Sequence, residues 1–470
     1  MKPGETGRAA AILLALCAAC APLPRNLPPP PTLAAPHAEA SLHAQDGASP
    51  WPARPWWHAF ADAALDGLEA RALAGNPSLL SAAQRLEEAS RLARLAEIDA
   101  GVHYGGDLSA QRGRLSANGI YPPPLGGMAY TQYDASFSAS YSIDWWGRNR
   151  ALVAAAADDR AAAMAEAAAA RLAISSLVAD AYFALAEAEA RRELIGESIE
   201  MRRQAVELLK IRLRHGLDHG DRVRQAEQVL ARDRGELSRS EYERSRWRFR
   251  LAALLGEGPD ASASLPPAKL AAPLALPPSL PLDWLAQRPD VAALKRRIEA
   301  ERLRTEAVKA EFYPNVNLAL LAGFQSLAAA TWLRHASLNG TAGPAVHLPL
   351  FDTSTLQARL GLQQATYGEA IAAYNRTVVD AAREAADGYA LVANLAQRSA
   401  AQADATAAAR RTADLARLRH RRGLAGRLDL LTAELALLAE RDADLQLQAA
   451  RVRATVGLAQ ALGGGGPSDD

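Results

Sequence analysis

The chain has 470 residues, a formal net charge of +1, 49% hydrophobic residues and only 6% aromatic ones. The balanced charge excludes a general attraction to nucleic acid, and arginines interleaved with Glu and Asp fit solvated helices. So few aromatics exclude a bulky globular core; the alanine-rich remainder suits close packing between long helices.

In chain order, the first feature is a basic start, Lys2 and Arg8, followed by AAAILLALCAA over residues 9–19. About eleven apolar residues fit a secretory signal and are too few to span a bilayer as a helix. Both cysteines lie here, in Cys17-Ala18-Ala19-Cys20. A thioredoxin-like pair needs an adjacent βαβ pattern, which is missing. Small Ala18 and Ala19 before Cys20 instead fit a lipoprotein signal, with residues 1–19 removed and a lipid on Cys20. The alternative is plain cleavage that leaves a free thiol. Ala21 follows Cys20, where bacterial lipoproteins retained in the inner membrane carry Asp; by that resemblance the outer membrane is favoured. Residues 20–75 read as a proline-rich extended segment and a short helix.

The rest of the chain is a duplication, with repeats over 76–256 and 288–463. Asn76-Pro77-Ser78-Leu79 opens a helix in the first, and Arg288-Pro289-Asp290-Val291 opens one in the second. Gly216-Leu217, Ala226-Glu227 and Leu255-Gly256 recur as Gly423-Leu424, Ala433-Glu434 and Leu462-Gly463, each 207 residues later. Each repeat reads as a medium helix, two extended segments, a very long helix, a glycine turn and a long helix. In the first, strands are expected at about 101–117 and 130–147, the long helix at 149–215, the turn at 216–220 and the last helix at 221–256. In the second, the helix is expected at 288–311, strands at about 314–326 and 340–351, the long helix at 353–420, the turn at 421–427 and the last helix at 428–462. A linker, 257–287, separates the repeats, and 464–470 read as a disordered tail.

From Tyr133 the odd positions are Tyr133, Ala135, Phe137, Ala139, Tyr141, Ile143 and Trp145. The even ones are Asp134, Ser136, Ser138, Ser140, Ser142 and Asp144. A barrel strand or a soluble sheet with one wet face gives this pattern. After the signal no continuous apolar run reads as a spanning helix, so any membrane entry must be by a closed barrel. As a helix, residues 149–215 would extend roughly 100 Å and need partners along that length. The last helix supplies a seam: Leu424, Leu428, Leu431, Leu435, Leu438, Leu445, Ala449, Val452, Val456 and Ala459 alternate fours and threes, broken at Asp442. A lone polar residue in such a seam can set its register.

No catalytic constellation stands out: there is no H-E-x-x-H, P-loop, G-x-S-x-G or Cys cluster. His215 and His219 flank a turn and lack a further soft ligand. Arg417, Arg419, Arg421, Arg422 and Arg427 form a basic stretch that reads as decoration of a helix end.

These residues resemble the TolC-like outer membrane factors, in the lipoprotein branch that serves resistance–nodulation–division (RND) efflux pumps. The resemblance rests on Trp56-Trp57 with Phe60, Asp62 and Leu65; Asn76-Pro77; Ile143-Asp144-Trp145-Trp146-Gly147-Arg148; Arg288-Pro289-Asp290-Val291; Phe312-Tyr313-Pro314; and Leu348-Pro349-Leu350-Phe351-Asp352. It implies a mostly α homotrimer that is not an enzyme and has no cofactor beyond the lipid on Cys20. Its trimeric 12-strand outer-membrane β-barrel, four strands per protomer, continues into a long α-helical coiled-coil tunnel in the periplasm. Four strands cannot close a lipid-facing barrel alone, since the smallest have about eight. Ser136–Ser142 would line the lumen and the aromatic face would meet lipid. The implied partners are a periplasmic adaptor, an inner-membrane RND pump and outer-membrane lipid, with no nucleic acid. The function so implied is a passive exit duct for drugs or other small molecules. The alternatives are a duct for type I protein secretion and a periplasmic coiled-coil scaffold without a pore.

The resemblance also places two sites. Gly216, Leu217, Gly423 and Leu424 would be the helical tips that meet the adaptor. Asp429-Leu430-Leu431 stands where the family has Asp-Val-Leu, whose carboxylates face the lumen at the periplasmic constriction. The position 207 residues earlier holds Arg222, beside Asp221. Either Asp221 takes the acidic role by a one-residue slip, or Arg222 pairs with Asp429 of another protomer. A third reading leaves Arg222 in solvent and has Asp429 cap its helix.

Overall fold

The computed structural model describes residues 31–33, 44–45, 51, 55–276, 280–281, 284–349 and 351–464. The expected signal peptide, Cys20 and tail residues 465–470 lie outside the described residues. The elements are β1 (Ala44–Gln45), a 3-10 turn (Trp56–Phe60), α1 (Ala63–Gly75), α2 (Pro77–Asp99), β2 (His103–Arg114) and β3 (Ala129–Ile143). There follow α3 (Arg148–Arg214), α4 (Gly220–Leu254), β4 (Leu280–Pro281), α5 (Pro289–Ala310), β5 (Asn315–Ser326), β6 (Leu338–His347), α6 (Thr353–Arg421) and α7 (Arg427–Ala461). One alanine-rich stretch of α3 is apolar enough by length and composition to cross a membrane, yet charged residues such as Glu166, Arg171 and Asp180 divide α3, and it holds no long continuous apolar run. Alanine lowers polarity without adding bulk, so a close-packed helix passes the same test.

Two compact units form. One includes Leu86–Ala163 and Leu294–Ala373. Its sheet has the order β2-β3-β5-β6, all antiparallel, so each repeat contributes a hairpin and the hairpins join at β3 and β5. Strands β2 and β6 are the open edges.

At one end of this sheet the motif residues assemble a strand-to-helix joint. Strand β3 stops at Ile143 because Asp144 serves the helix: its carboxylate accepts from the Asn149 and Arg150 amides at 3.0 and 2.9 Å. That satisfies donors of the first turn of α3 that have no intrahelical partner. The Trp146 indole stacks on Tyr313 at 4.5 Å and donates to the Pro314 carbonyl at 2.8 Å. Arg148 and Arg359 both bind Glu311, at 3.2 and 3.3 Å. Phe312 is buried beneath with Leu356 and Leu360.

The other unit comprises Ala34–Arg85, Met164–Ala293 and Tyr374–Asp470. Its core seats the N-terminal motif on α3: Trp56, Phe60, Leu65 and Leu68 pack with Tyr182 and Phe183. Asp62 caps α1 through the Ala64 and Leu65 amides and accepts from the Tyr182 hydroxyl at 2.7 Å. The seam break at Asp442 is an ion pair, with Arg191 Nε at 3.0 Å, so α7 is pinned to α3 at one height.

The duplication persists where residue identity does not. The Asn76 side-chain amide donates to the Leu254 carbonyl at 2.7 Å, and the Arg288 guanidinium donates to the Ala461 carbonyl at 2.9 Å. These carbonyls are 207 residues apart, the offset of the repeats. In each repeat the residue before proline fastens the end of that repeat's last helix, and a left-handed glycine follows: Gly256 at φ +78° and Gly463 at +84°. Arg288 is also held by Asp290 and Glu384, at 2.8 and 3.1 Å.

Candidate functional site: a two-faced sheet and paired helical tips

The strand register sorts the sheet into two chemically different faces. Opposite residues share a face, so Tyr104, Leu108, Tyr133, Phe137, Tyr141, Leu318, Leu320, Phe324, Leu338 and Val346 fall together on one. Asp107, Ser109, Asp134, Ser136, Ser138, Ser140, Ser142, Gln325, Asn317 and Thr341 fall on the other. The polar face satisfies itself in part: Asp134 accepts from Gln132 and Gln325, both at 2.9 Å.

Aromatic pairs mark both ends of the sheet, the first of them on its apolar face. Trp332 packs on Tyr133 at 5.7 Å and donates to the Phe324 carbonyl; Trp146 and Tyr313 stack at the helix end. From Tyr133 to Ile143 the strand rises roughly 33 Å, or roughly 25 Å across a barrel wall tilted by about 40°. That is the height of a transmembrane apolar band flanked by aromatic girdles.

The helical tips are built alike. Gly216 and Gly423 sit at φ +67° and +71°, which side chains with a Cβ resist. The Leu217 amide reaches back to the Arg212 carbonyl and the Leu424 amide to the Arg419 carbonyl, both at 2.8 Å. This is the Schellman ending, whose apolar residue after the glycine ordinarily packs against its own helix. Here Leu217 and Leu424 are 66% and 75% exposed. Arg417 of the basic stretch is occupied by Asp414 and Glu434, and Arg427 donates to Gln204 on α3 at 2.8 Å. His215 and His219 stand on either side of the first tip, and among the described residues no group of His, Cys, Asp and Glu could hold a metal ion.

The Asp429 carboxylate accepts from the Gly426 amide at 2.9 Å, closing the first turn of α7. Helix α4 begins 207 residues earlier in the same register, with His219 at the position of Gly426 and Arg222 at that of Asp429. Asp221 lies one residue before, also in the first turn. Within one chain Arg222 pairs with Asp218 at 3.1 Å, and Arg212 joins them at 3.1 Å. Burial beneath these arginines disfavours the Asp218 carboxylate; the His219 amide, Arg212 and Arg222 together outweigh that and hold its carboxyl below the ordinary range.

Glu69 has no counterpart in the sequence reading. It shares the buried face of α1 with Leu65, Leu68 and Ala72 and is 0% exposed, and neither carboxylate oxygen has a hydrogen-bond partner among the described residues. Burial pushes its pKa up to about 9, so the side chain is neutral at pH 7. A glutamate breaking the Leu65–Leu68–Ala72 stripe is the signal that could have found it.

A four-stranded sheet with a membrane-height apolar face, feeding helices of 67 and 69 residues, defines the protomer of a trimeric outer-membrane channel. The pattern of the family described as "Outer membrane efflux protein" matches residues 68–257 and 280–464, one block per repeat. Among curated relatives, the fusaric acid resistance protein FusA of Burkholderia cepacia is 34% identical over 373 residues, 77% of this chain and 70% of that protein. The multidrug resistance outer membrane protein MdtP of Escherichia coli strain K12 is 30% identical over 431 residues, covering 89% and 87%. The outer membrane protein VceC of Vibrio cholerae superposes with a TM-score of 0.80 at 34% identity, over 88% of this chain and all of that one. The chain belongs to the outer membrane efflux protein family. It is an outer-membrane channel that serves as the exit duct of an efflux pump.

Proposed function

We propose that this duct is the outer component of a tripartite RND pump and passively conducts drugs or other small organic molecules that the inner-membrane partner has selected. The sorted sheet carries the reading: Ser136–Ser142 line the lumen, and the aromatic face meets lipid. The names of FusA and MdtP, resistance proteins both, support a small-molecule cargo. The chain's own part is to bind, align and hold open a path, with no bond-making chemistry.

In this reading three Asp429 carboxylates ring the periplasmic entrance. A narrow aperture amplifies such charges and attracts cations. Capping by Gly426 uses one carboxylate oxygen, which leaves the other for the lumen. Planar-bilayer recording tests both duct and ring. Wild-type trimers should conduct in discrete steps, and Asp429→Ala should reduce cation preference and block by multivalent cations. Absent steps would sink the duct; unchanged selectivity in Asp429→Ala would remove this residue from the gate. If Arg222 also pairs with Asp429 across protomers, it does so by leaving Asp218, and Arg222→Ala should leak more.

Leu217 and Leu424 are the surfaces proposed to seat the periplasmic adaptor, supported by exposure that a Schellman leucine does not need. Replacing both by Asp should abolish most adaptor crosslinking while trimers still assemble. Undiminished crosslinking and drug resistance would count against the tips. Cys20 is the proposed lipid anchor, supported by Ala18-Ala19 before it. Cys20→Ser should abolish palmitate labelling, and persistent labelling would defeat the assignment.

A further inference from the structure

We propose that Arg112 and Arg114 bind the phosphate of a lipid head group in the outer leaflet of the membrane. The inference rests on the barrel reading above and names a partner for its outward surface. Both arginines lie on β2 opposite Thr131 and Ala129, which puts them on the apolar face. Ala110, opposite Tyr133, is the last apolar position on β2 before them. Arg112 therefore stands one step beyond the girdle of Tyr133 and Trp332, and Arg114 one step further. Residues two apart on a strand are about 6.6 Å apart on the same face. Two guanidinium groups at that spacing can take one phosphate between them with charge-assisted hydrogen bonds.

The charge around them is one-sided. The outer connection 115–128 holds no charged residue, and 327–337 holds Arg334 and His335 without an acid. Arg112 is exposed and has no partner among the described residues. Arg114 gives its Nε–H to the Gly127 carbonyl at 3.1 Å, which fixes the stem and leaves both Nη groups without an acceptor among the described residues. At the helix end of the same sheet, by contrast, Arg148 is matched by Glu311 and Arg150 by Asp144. The acids of the strands, Asp107 and Asp134, lie on the opposite face. An anion belongs on the outward face at the height of the head groups, and phosphorylated glycolipid supplies one there.

Native mass spectrometry of detergent-purified trimers tests this with lipid A as the probe. Wild-type trimers should retain up to one lipid A per protomer and retain dephosphorylated lipid A at least about tenfold less. Arg112→Gln combined with Arg114→Gln should lower lipid A retention by a similar factor, and Arg112→Lys combined with Arg114→Lys should keep most of it. The trimer mass in the same spectrum reports assembly, and the wild-type comparison needs no variant. Equal retention of the two lipids, or undiminished retention by the Gln pair, would overturn the site. Displacement by millimolar inorganic phosphate would overturn the lipid as its occupant. Bilayer recording on the same preparations separates the readings: a silent wild type defeats the duct, whereas a conducting Gln pair with full lipid retention defeats this site alone.

Discussion

Gly256→Ala should destabilise the chain by several kcal/mol, whereas Gly216→Ala should cost only about 1–2 kcal/mol. Both residues are left-handed, at φ +78° and +67°. They differ in surroundings. A Cβ on Gly216 meets nothing within 4 Å, while one on Gly256 lies 2.2 Å from the Gly75 carbonyl oxygen and 3.0 Å from its carbon. That carbonyl cannot retreat easily. The next residue, Asn76, caps α2 through the Ser78 amide and holds the Leu254 carbonyl. The clash therefore works against the clamp that closes the first repeat. Thermal denaturation of detergent-solubilised trimers reads the difference, and equal losses for the two variants would refute the argument.

Glu69 should make the protein less stable as pH rises from 5 to 8, and Glu69→Gln should remove that slope. The folded value, about 9, lies above the unfolded one, about 4.3. The folded state thus holds a proton that the unfolded chain releases. The associated stability is complete below the unfolded value and is lost progressively as pH climbs towards the folded one. By pH 7 the loss is about 4 kcal/mol, since pH 7 lies about 2.7 units above the unfolded value and each unit is worth about 1.4 kcal/mol. Glu69→Leu should recover at least part of this at pH 7, because among the described residues no group lies within hydrogen-bond geometry of either carboxylate oxygen. Chemical denaturation of both variants and wild type at pH 5 and 8 decides it; parallel profiles for wild type and Glu69→Gln would disprove the linkage.

Much of the architecture is legible because it is periodic. The Ser and aromatic alternation from Tyr133 to Ile143 fixes which face is apolar, and the leucine spacing from Leu428 to Leu438 marks the seam, whereas Leu424, expected to open it, lies exposed in the turn before α7. What resists reading is the identity of distant partners. Asp442 looks like a flaw in the seam because Arg191 lies 251 residues earlier. Asn76 and Arg288 look unrelated, yet each is a donor long enough to reach a carbonyl at the end of a helix. Asp144 reads as the next alternating strand position, and only the fold reveals it as the cap of α3. At the tips, the glycines announce themselves through the conformation they permit. Arg222 is the opposite case: its partner within the chain, Asp218, is only four residues away, in the turn before α4.

The open edges β2 and β6 carry a genetic consequence. A barrel closed by three chains is only as sound as its worst seam, because each edge must be completed by another copy. In a cell making normal chains and chains with a blocked edge in equal amounts, about one trimer in eight would contain normal chains alone. A defect confined to one edge strand would then behave as dominant, poisoning its normal sisters in proportion to its dose. A lesion that merely unfolds the chain before assembly would stay recessive.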